Sequence, residues 1–462
     1  MSVSDTIHFD TIGSVSNRIR SGETTSVELT DLMLSRIASH DPGLNAFITV
    51  TDDLARSQAR QADLELSEGV DRGPLHGIPI AIKDLFATAG VRTTGGSMLH
   101  HDWVPDRDST AVARLREAGA VMLGKTGLHE LAYGVTSINP WFGAVHNPWA
   151  LDHDPGGSSG GSAVAVSAGL AFAALGTDTG CSVRQPAHCC GIVGLKPTFG
   201  LVSKAGVLDL VWSMDHVGPL TRSVDDAALV LDAIAGHDPS DPWSLRSSLP
   251  ETFLTTPRPI ADLRIGLVRR HFFEGHADVI EVVDAAVEHL RSAGSEIVEL
   301  DLPDIEQASE MLDLMSAEAA VVHADDLLDR PRKFSDEVRG KLKRDQQVST
   351  ADYIKAQQFR RGFTSRVERL FDDCDVIVAP TATISAAPIL DRPADYGHHA
   401  GKNTAIFDFT GHPSISIPCG FTPTGLPVGL MITGRLLGER DVLSAAGTFE
   451  LSTDWHQQRP AL

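Results

Sequence analysis

Cysteine is scarce in this chain. Its five residues (Cys181, Cys189, Cys190, Cys374 and Cys419) form an odd number with no CxxC pair. That excludes a disulfide framework and a cysteine-cluster zinc site, and it fits a reducing, cytoplasmic setting. Basic residues are in deficit, 39 Lys plus Arg against 61 Asp plus Glu, for a formal net charge of −22. An average field of that sign repels a phosphate backbone and argues against a general nucleic-acid binder. Long apolar runs are also missing. The longest apolar-to-small stretch, Ser162 to Leu175, is broken by Ser167 and Gly169 and is shorter than the ~18–20 residues of a membrane span. The opening "MSVSDTIHFDTIGSVSNRIR" lacks a basic start followed by an apolar run, so no secretory signal is expected. No H-E-x-x-H motif is present, and neither a metal nor a cofactor is expected.

What remains is an ordinary globular composition, 42% hydrophobic and 22% charged over 462 residues. Residues 1–70 read as helical, with Leu29, Leu32 and Ile37 at helical spacing. Beyond them, strand and helix patterns alternate. "GIPIAI" and Val121 to Leu123 read as strands, and "DSTAVARLREAG" and "SGGSAVAVSAG" as helices. "RIGLV", "VIEVVDAAVEHLRSAG" and "EIVELDLP" form a strand–helix–strand unit, and Ile305 to Asp373 is helical and rich in charge. "VIVAPTA", "SISIPCG" and "GLPVGLMI" return to strands. Such alternation predicts an α/β protein with a large central sheet, largely parallel or mixed, covered by helices on both faces. "SDPWSLRSSLPETFLTTPRP" is expected to be a surface excursion within one domain.

Chemistry concentrates in three places. "DPGGSSGGSAVAV" is rich in glycine, but it lacks the Gly-Lys-Ser/Thr ending of a Walker loop. Nor is Ser159 a nucleophile elbow, because "HNPWALDHDPGG" before it is loop where a buried strand is needed. The two serines are left to serve a nucleophile placed elsewhere. "GTDTGCSVRQPAHCCG" offers one: an apolar strand runs into a small-residue turn at Ser182, where free backbone N–H groups could surround an oxyanion. Ser182 could equally be a helix N-cap. A base is available in Lys83, at the end of "GIPIAIKD", where alternation places it on the face of Ala81. Burial there would favour the neutral amine, whereas a lysine that snorkels to solvent would stay charged.

Together, "GIPIAIKD", "PGGSSGGSA" and "GTDTGCSVRQPAHCCGIVGLKPTFG" resemble the amidase signature family. The likeness continues through "WSMDHVGPLTRSVDDAALVLDAIAG" and "TGHPSISIPCGF". It is dense over 65–240 and looser over 375–450. The resemblance implies the amidase-signature fold across 1–462, with a helical N-terminal region (1–70), a signature core (65–240) and a helical substrate-side region (305–375). It implies a Ser–cis-Ser–Lys triad of Ser182, Ser158 and Lys83. The backbone of Thr179, Gly180, Cys181 and Ser182 would form the oxyanion hole, supported by Ser159, Asp178 and Arg184. Two departures stand out: Cys181 occupies a common glycine position, and Gly127 in "KTGLHE" an asparagine position, which is expected to loosen that loop. His129 is expected to be a structural hydrogen-bond donor, and the rival that Cys181 itself attacks lacks a paired histidine.

The reading that follows is a hydrolase cleaving the C–N bond of small neutral amides, anilides or carbamates, like stand-alone amidases and urethanases. Its pocket is expected to use Tyr133, Trp141, Phe142 and Trp212, walled by the N-terminal and 305–375 helices. It is expected to work as a monomer or homodimer on a small molecule, with no nucleic acid and no membrane. Two alternatives are the glutaminase component of a multi-protein glutamyl-tRNA amidotransferase and a catalytically silent interaction protein on the same scaffold.

Overall fold

Runs of β-branched and small apolar residues too short for helices supply the strands. In chain order these are β1 (Phe47–Val50), β2 (Pro79–Lys83), β3 (Val121–Thr126), β4 (Ile138–Asn139), β5 (Gly143–Ala144), β6 (Ala173–Asp178), β7 (Val193–Lys196), β8 (His216–Thr221), β9 (Arg264–Leu267), β10 (Glu296–Glu299), β11 (Val376–Pro380), β12 (Ser414–Phe421) and β13 (Pro427–Thr433). The computed structural model describes residues 6–462. The first five residues of the stretch read above for a secretory signal lie outside the described residues. Eleven strands join into one sheet in the order β1-β3-β2-β6-β8-β7-β12-β13-β11-β9-β10, and β4 and β5 form a separate pair. The sheet is mixed: β3, β2 and β6 run parallel, β6 to β11 pair antiparallel along the order, and β11, β9 and β10 are parallel again.

β2, β3 and β6 are buried along their whole length, so they lack in–out alternation and carry polar residues only at their carboxyl ends, at Lys83, Lys125 and Thr126, and Thr177 and Asp178. Helices cover the sheet on both faces. Gly160–Ser167, with all eight residues buried, packs across β2, β6 and β8. Two large apolar clusters result. One lies against the sheet, and the other joins the helices of 305–371 to Leu128, Leu131, Leu210, Val211, Met214 and Phe407. The helical reading of 1–70 needs one correction, because Phe47–Val50 pairs antiparallel with β3 as the edge strand β1. Among the described residues no helix is long and apolar enough to cross a membrane.

The parallel pair β2–β6 positions the site. Ile80, Ala81 and Ile82 lie opposite Ala173, Ala174 and Leu175. The carboxyl ends of both strands therefore open on the same edge, where α/β sheets characteristically hold ligands.

Candidate active site

Lys83 ends β2 with no solvent exposure, and its Nζ lies 2.8 Å from both Ser158 Oγ and Thr177 Oγ1. Burial lowers its pKa from 10.5 to about 7, opposed by the charges of Asp178 and Asp215. The neutral amine is thus accessible near neutral pH. Ser158 follows a cis peptide bond to Gly157, in the loop that enters the helix Gly160–Ser167. That loop tolerates no side chains at its glycines. A Cβ on Gly157 would stand 2.7 Å from Thr136 N, and one on Gly161 2.5 Å from Gly127 N and O.

The same contact bears on Gly127. Its N–H donates to Ala46 O and its carbonyl accepts from Gly161 N. Both backbone groups of Gly127 are thus engaged, which opposes the loosening expected of this loop. Upstream, Gly157 N donates to Gln185 Oε1 (2.7 Å), while Tyr396 Oη donates to Asp154 Oδ1 (2.8 Å) and accepts from Gln185 Nε2 (3.2 Å).

β6 ends at Asp178 and the chain turns through Thr179, Gly180 and Cys181 to Ser182, all four lining one cavity. Asp178 organises the turn. It accepts from the N–H of Ser182 (2.8 Å) and Val183 (3.1 Å) and pairs with Arg184, Nε to Oδ2 at 2.9 Å, with both side chains fully buried. These donors hold the Asp178 carboxyl well below the usual range against the cost of burial. The oxyanion set is corrected accordingly. Ser182 N–H is taken by Asp178, whereas those of Thr179, Gly180 and Cys181 find no protein acceptor among the described residues.

Ser159 Oγ accepts from Thr177 N (3.3 Å) and donates to Thr177 O (3.2 Å), tying the serine loop to β6. Cys181 is not among the non-glycine residues with positive φ. The backbone there does not demand glycine. Burial first, then the charges of Asp178 and Asp408, pushes its thiol far above the ordinary range, which suppresses the thiolate. His129 contacts Thr136 Oγ1 (3.2 Å) and Glu337 (3.4 Å) and lines the cavity wall.

Arg184 spans the region behind the turn. Its Nη1 donates to Thr404 O (3.0 Å) and Ser414 Oγ (2.8 Å), and its Nη2 meets Asp408. Removing it would leave buried Asp178 and Asp408 without their common cation. We expect Arg184→Met to lose ~3–5 kcal/mol of stability, the usual cost of breaking a buried pair, measurable by chemical denaturation.

The cavity, about 810 Å³, differs from the expected aromatic pocket. Tyr133 lines it, donating to Asp345 (2.5 Å). The other three aromatics do not. Trp141 turns its Nε1 to Glu130 (2.8 Å), Phe142 stacks on His101, and at the Trp212 turn the lining comes from Leu210, Val211 and Met214 instead. An indole N–H needs an acceptor, and Glu130 provides it away from the cavity. The N-terminal helices supply no lining. Residues from Leu312 to Asp345 do, together with the 392–397 segment.

Besides apolar side chains such as Leu210, Met214 and Met315, the lining includes the charged residues Asp313, Glu337, Lys341, Arg344, Asp345 and Arg392. Lys341 is engaged by Tyr133 O and Glu337, but Arg344 and Arg392 enter no ion pair among the described residues. Sequence reasoning missed these groups. "DEVRGKLKRD" has the look of a solvated helix, and only its packing against Tyr133 turns one side inward.

The chain belongs to the Amidase family, whose model matches residues 28–443. A curated relative from Geotalea daltonii, the A-type subunit of its glutamyl-tRNA(Gln) amidotransferase, is 39% identical over 98% of this chain and 99% of its own. Among solved structures, a chain of an inhibitor-bound vestigial protein complex, described as revealing the evolutionary origins of an s-triazine catabolic enzyme, superposes with a TM-score of 0.91. It has 33% identity and covers 96% of this chain and 98% of its own. The corresponding glutamyl-tRNA(Gln) amidotransferase subunit from Thermotoga maritima superposes with a TM-score of 0.82 at 31% identity, covering 97% and 96%. These relatives overturn the expectation of a stand-alone hydrolase of neutral amides and carbamates. They equally overturn that of a monomer or homodimer whose only partner is a small molecule, because near full-length curated relatives are named as one subunit of an amidotransferase.

Proposed function

We propose that this chain is the amidase subunit of a glutamyl-tRNA(Gln) amidotransferase, and that it frees ammonia from the side-chain amide of glutamine within a multi-subunit assembly. What carries this reading is a cavity that joins the Ser182 turn to Arg344 and Arg392, neither of which enters an ion pair among the described residues. Glutamine brings a carboxylate that suits Arg344 or Arg392 and an ammonium that suits Asp313 or Asp345; a neutral aryl amide would leave those charges unused. The chain's charge of −22 assigns the tRNA to other subunits.

In the proposed mechanism Ser182 is the nucleophile, Ser158 the bridge and Lys83 the base. Neutral Lys83 takes a proton from Ser158, which takes one from Ser182 as its oxygen attacks the amide carbon. The N–H groups of Thr179, Gly180 and Cys181 stabilise the oxyanion. The relay returns the proton to nitrogen, ammonia leaves, and water cleaves the γ-glutamyl ester on Ser182. Cys181 contributes only its N–H. Cys181→Gly is therefore expected to keep most of the turnover; a loss as deep as that of Ser182→Ala would make the sulfur essential.

The double variant Arg344→Ala/Arg392→Ala is expected to raise KM for glutamine ~10–100-fold, the scale of a lost hydrogen bond to a charged group. Hydrolysis of a neutral primary amide should be little affected. The reading is tested by coupled ammonia assay on the chain alone and on the chain co-expressed with its partner subunits. Glutamine should be turned over best by the assembly; an aryl carbamate preferred to glutamine in both would overturn it.

A further inference from the structure

Outside the cavity, two histidines and an aspartate converge in an arrangement that the amide chemistry leaves unused. His276 Nε2 lies 3.7 Å and His399 Nε2 3.6 Å from the same oxygen, Asp395 Oδ2. The three ligand atoms all lie within 4.8 Å of one another. Ligands at 2.0–2.1 Å around a tetrahedral zinc sit ~3.3 Å apart. Each nitrogen–oxygen distance therefore needs to close by only a few tenths of an ångström.

Both histidines are held from one residue, Thr383. His276 N–H donates to Thr383 O (2.9 Å), and Thr383 N–H donates to His399 O (3.0 Å). A Cβ on Gly275 would stand 2.2 Å from Thr383 Cβ, so glycine there is what allows His276 to come this close. Thr383 also reaches the ring of His399. Its hydroxyl donates to His399 O (3.4 Å), and its Oγ1 lies 2.7 Å from His399 Nδ1. The 2.7 Å contact anchors the His399 ring at Nδ1 and leaves Nε2 facing Asp395. A ring anchored through one nitrogen, with the other left for the ion, is how proteins orient a metal-binding imidazole. The rings of His276 and His399 stand edge to face, 5.1 Å between centroids. The cluster is open to solvent, with 38% of the His276 side chain and 55% of the Asp395 side chain exposed, so an ion can enter.

We propose that His276, Asp395 and His399 form a zinc site, with a fourth position left to water. Two imidazole nitrogens and one carboxylate oxygen suit Zn²⁺ and disfavour the hard, oxygen-seeking Ca²⁺ and Mg²⁺. The site adjoins the cavity without being part of it. Asp395 lies in the segment whose Arg392, Pro393, Ala394, Tyr396 and Gly397 line the cavity, and it alone is turned to the histidines. A bound ion therefore clamps this rim to His276 and Thr383.

The test is direct titration of the full-length, chelator-stripped chain with Zn²⁺, followed by Co²⁺ as a spectroscopic stand-in. One equivalent should bind, with visible bands of a low-coordinate Co²⁺ site and slower hydrogen exchange across 392–397. His276→Ala and His399→Ala should each weaken binding at least ~100-fold, and Thr383→Val, which leaves all three ligands in place, ~10–100-fold. Circular dichroism confirms that the variants are folded. Absence of Zn²⁺ binding overturns the proposal, as does binding that His276→Ala/His399→Ala leaves unchanged.

Discussion

Replacing Ser182 with alanine is expected to cut glutamine-dependent ammonia release by at least ~10³-fold, the scale seen when a triad nucleophile is removed. The fold should persist. Ser182 is held by its backbone, through its N–H to Asp178 (2.8 Å) and its carbonyl to Ser159 N (3.2 Å), and alanine keeps both contacts. KM should move little, since the groups proposed to bind the substrate's charges lie elsewhere in the cavity. A folded Ser182→Ala protein with wild-type turnover would remove the serine from the chemistry.

The second large effect is expected at Lys83, and it has opposite signs for activity and stability. Lys83→Met keeps the length of the side chain and removes the proton acceptor, so turnover should fall by a comparable ~10³-fold. In the wild type, the base works only when neutral. With its pKa lowered to about 7, activity should rise with pH through an acid limb centred there. Stability follows from the same displacement. The lysine has a pKa of about 7 in the fold against 10.5 in the unfolded chain, so between these values the unfolded state binds more protons. Folding must then strip a proton from Lys83. The cost is complete below pH 7 and disappears above about pH 10.5. Each tenfold change in proton affinity is worth ~1.4 kcal/mol, which puts the penalty on the order of a few kcal/mol. Lys83→Met should therefore be inactive yet more stable than wild type at pH 7, with the gain shrinking toward pH 10. Denaturation curves at both pH values check this. A Met variant less stable at pH 7 would mean that the lysine is a structural cation.

Much of the scaffold was legible because local pattern and burial agree there. "GIPIAIKD" is apolar on both faces, as a central parallel strand must be, and "SGGSAVAVSAG" is a helix whose small residues admit close packing on the sheet. Strand β1 escaped notice. It is only four residues long, lies between two helices, and is paired through a partner far along the chain. The cavity wall was hidden for a related reason. Tyr133 meets Asp345 across 212 residues, and no periodicity within the helix Asp336–Asp345 announces which of its charges turn inward. The aromatics misled because bulk alone does not place a side chain. Trp141 follows its N–H to Glu130, away from the cavity. Ser182 N–H, similarly, is claimed by an Asp178 carboxylate four residues earlier, a contact that only the folded turn reveals.

The central claim is that Ser182 of this chain carries the γ-glutamyl group of glutamine. It is tested most directly by acid-quenching the assembled protein during turnover and mapping its peptides by mass spectrometry. A γ-glutamyl ester on the peptide containing Ser182, absent from Ser182→Ala, is the result predicted. An ester on another residue, or an acyl group transferred to Ser182 from aryl carbamates but not from glutamine, would contradict it.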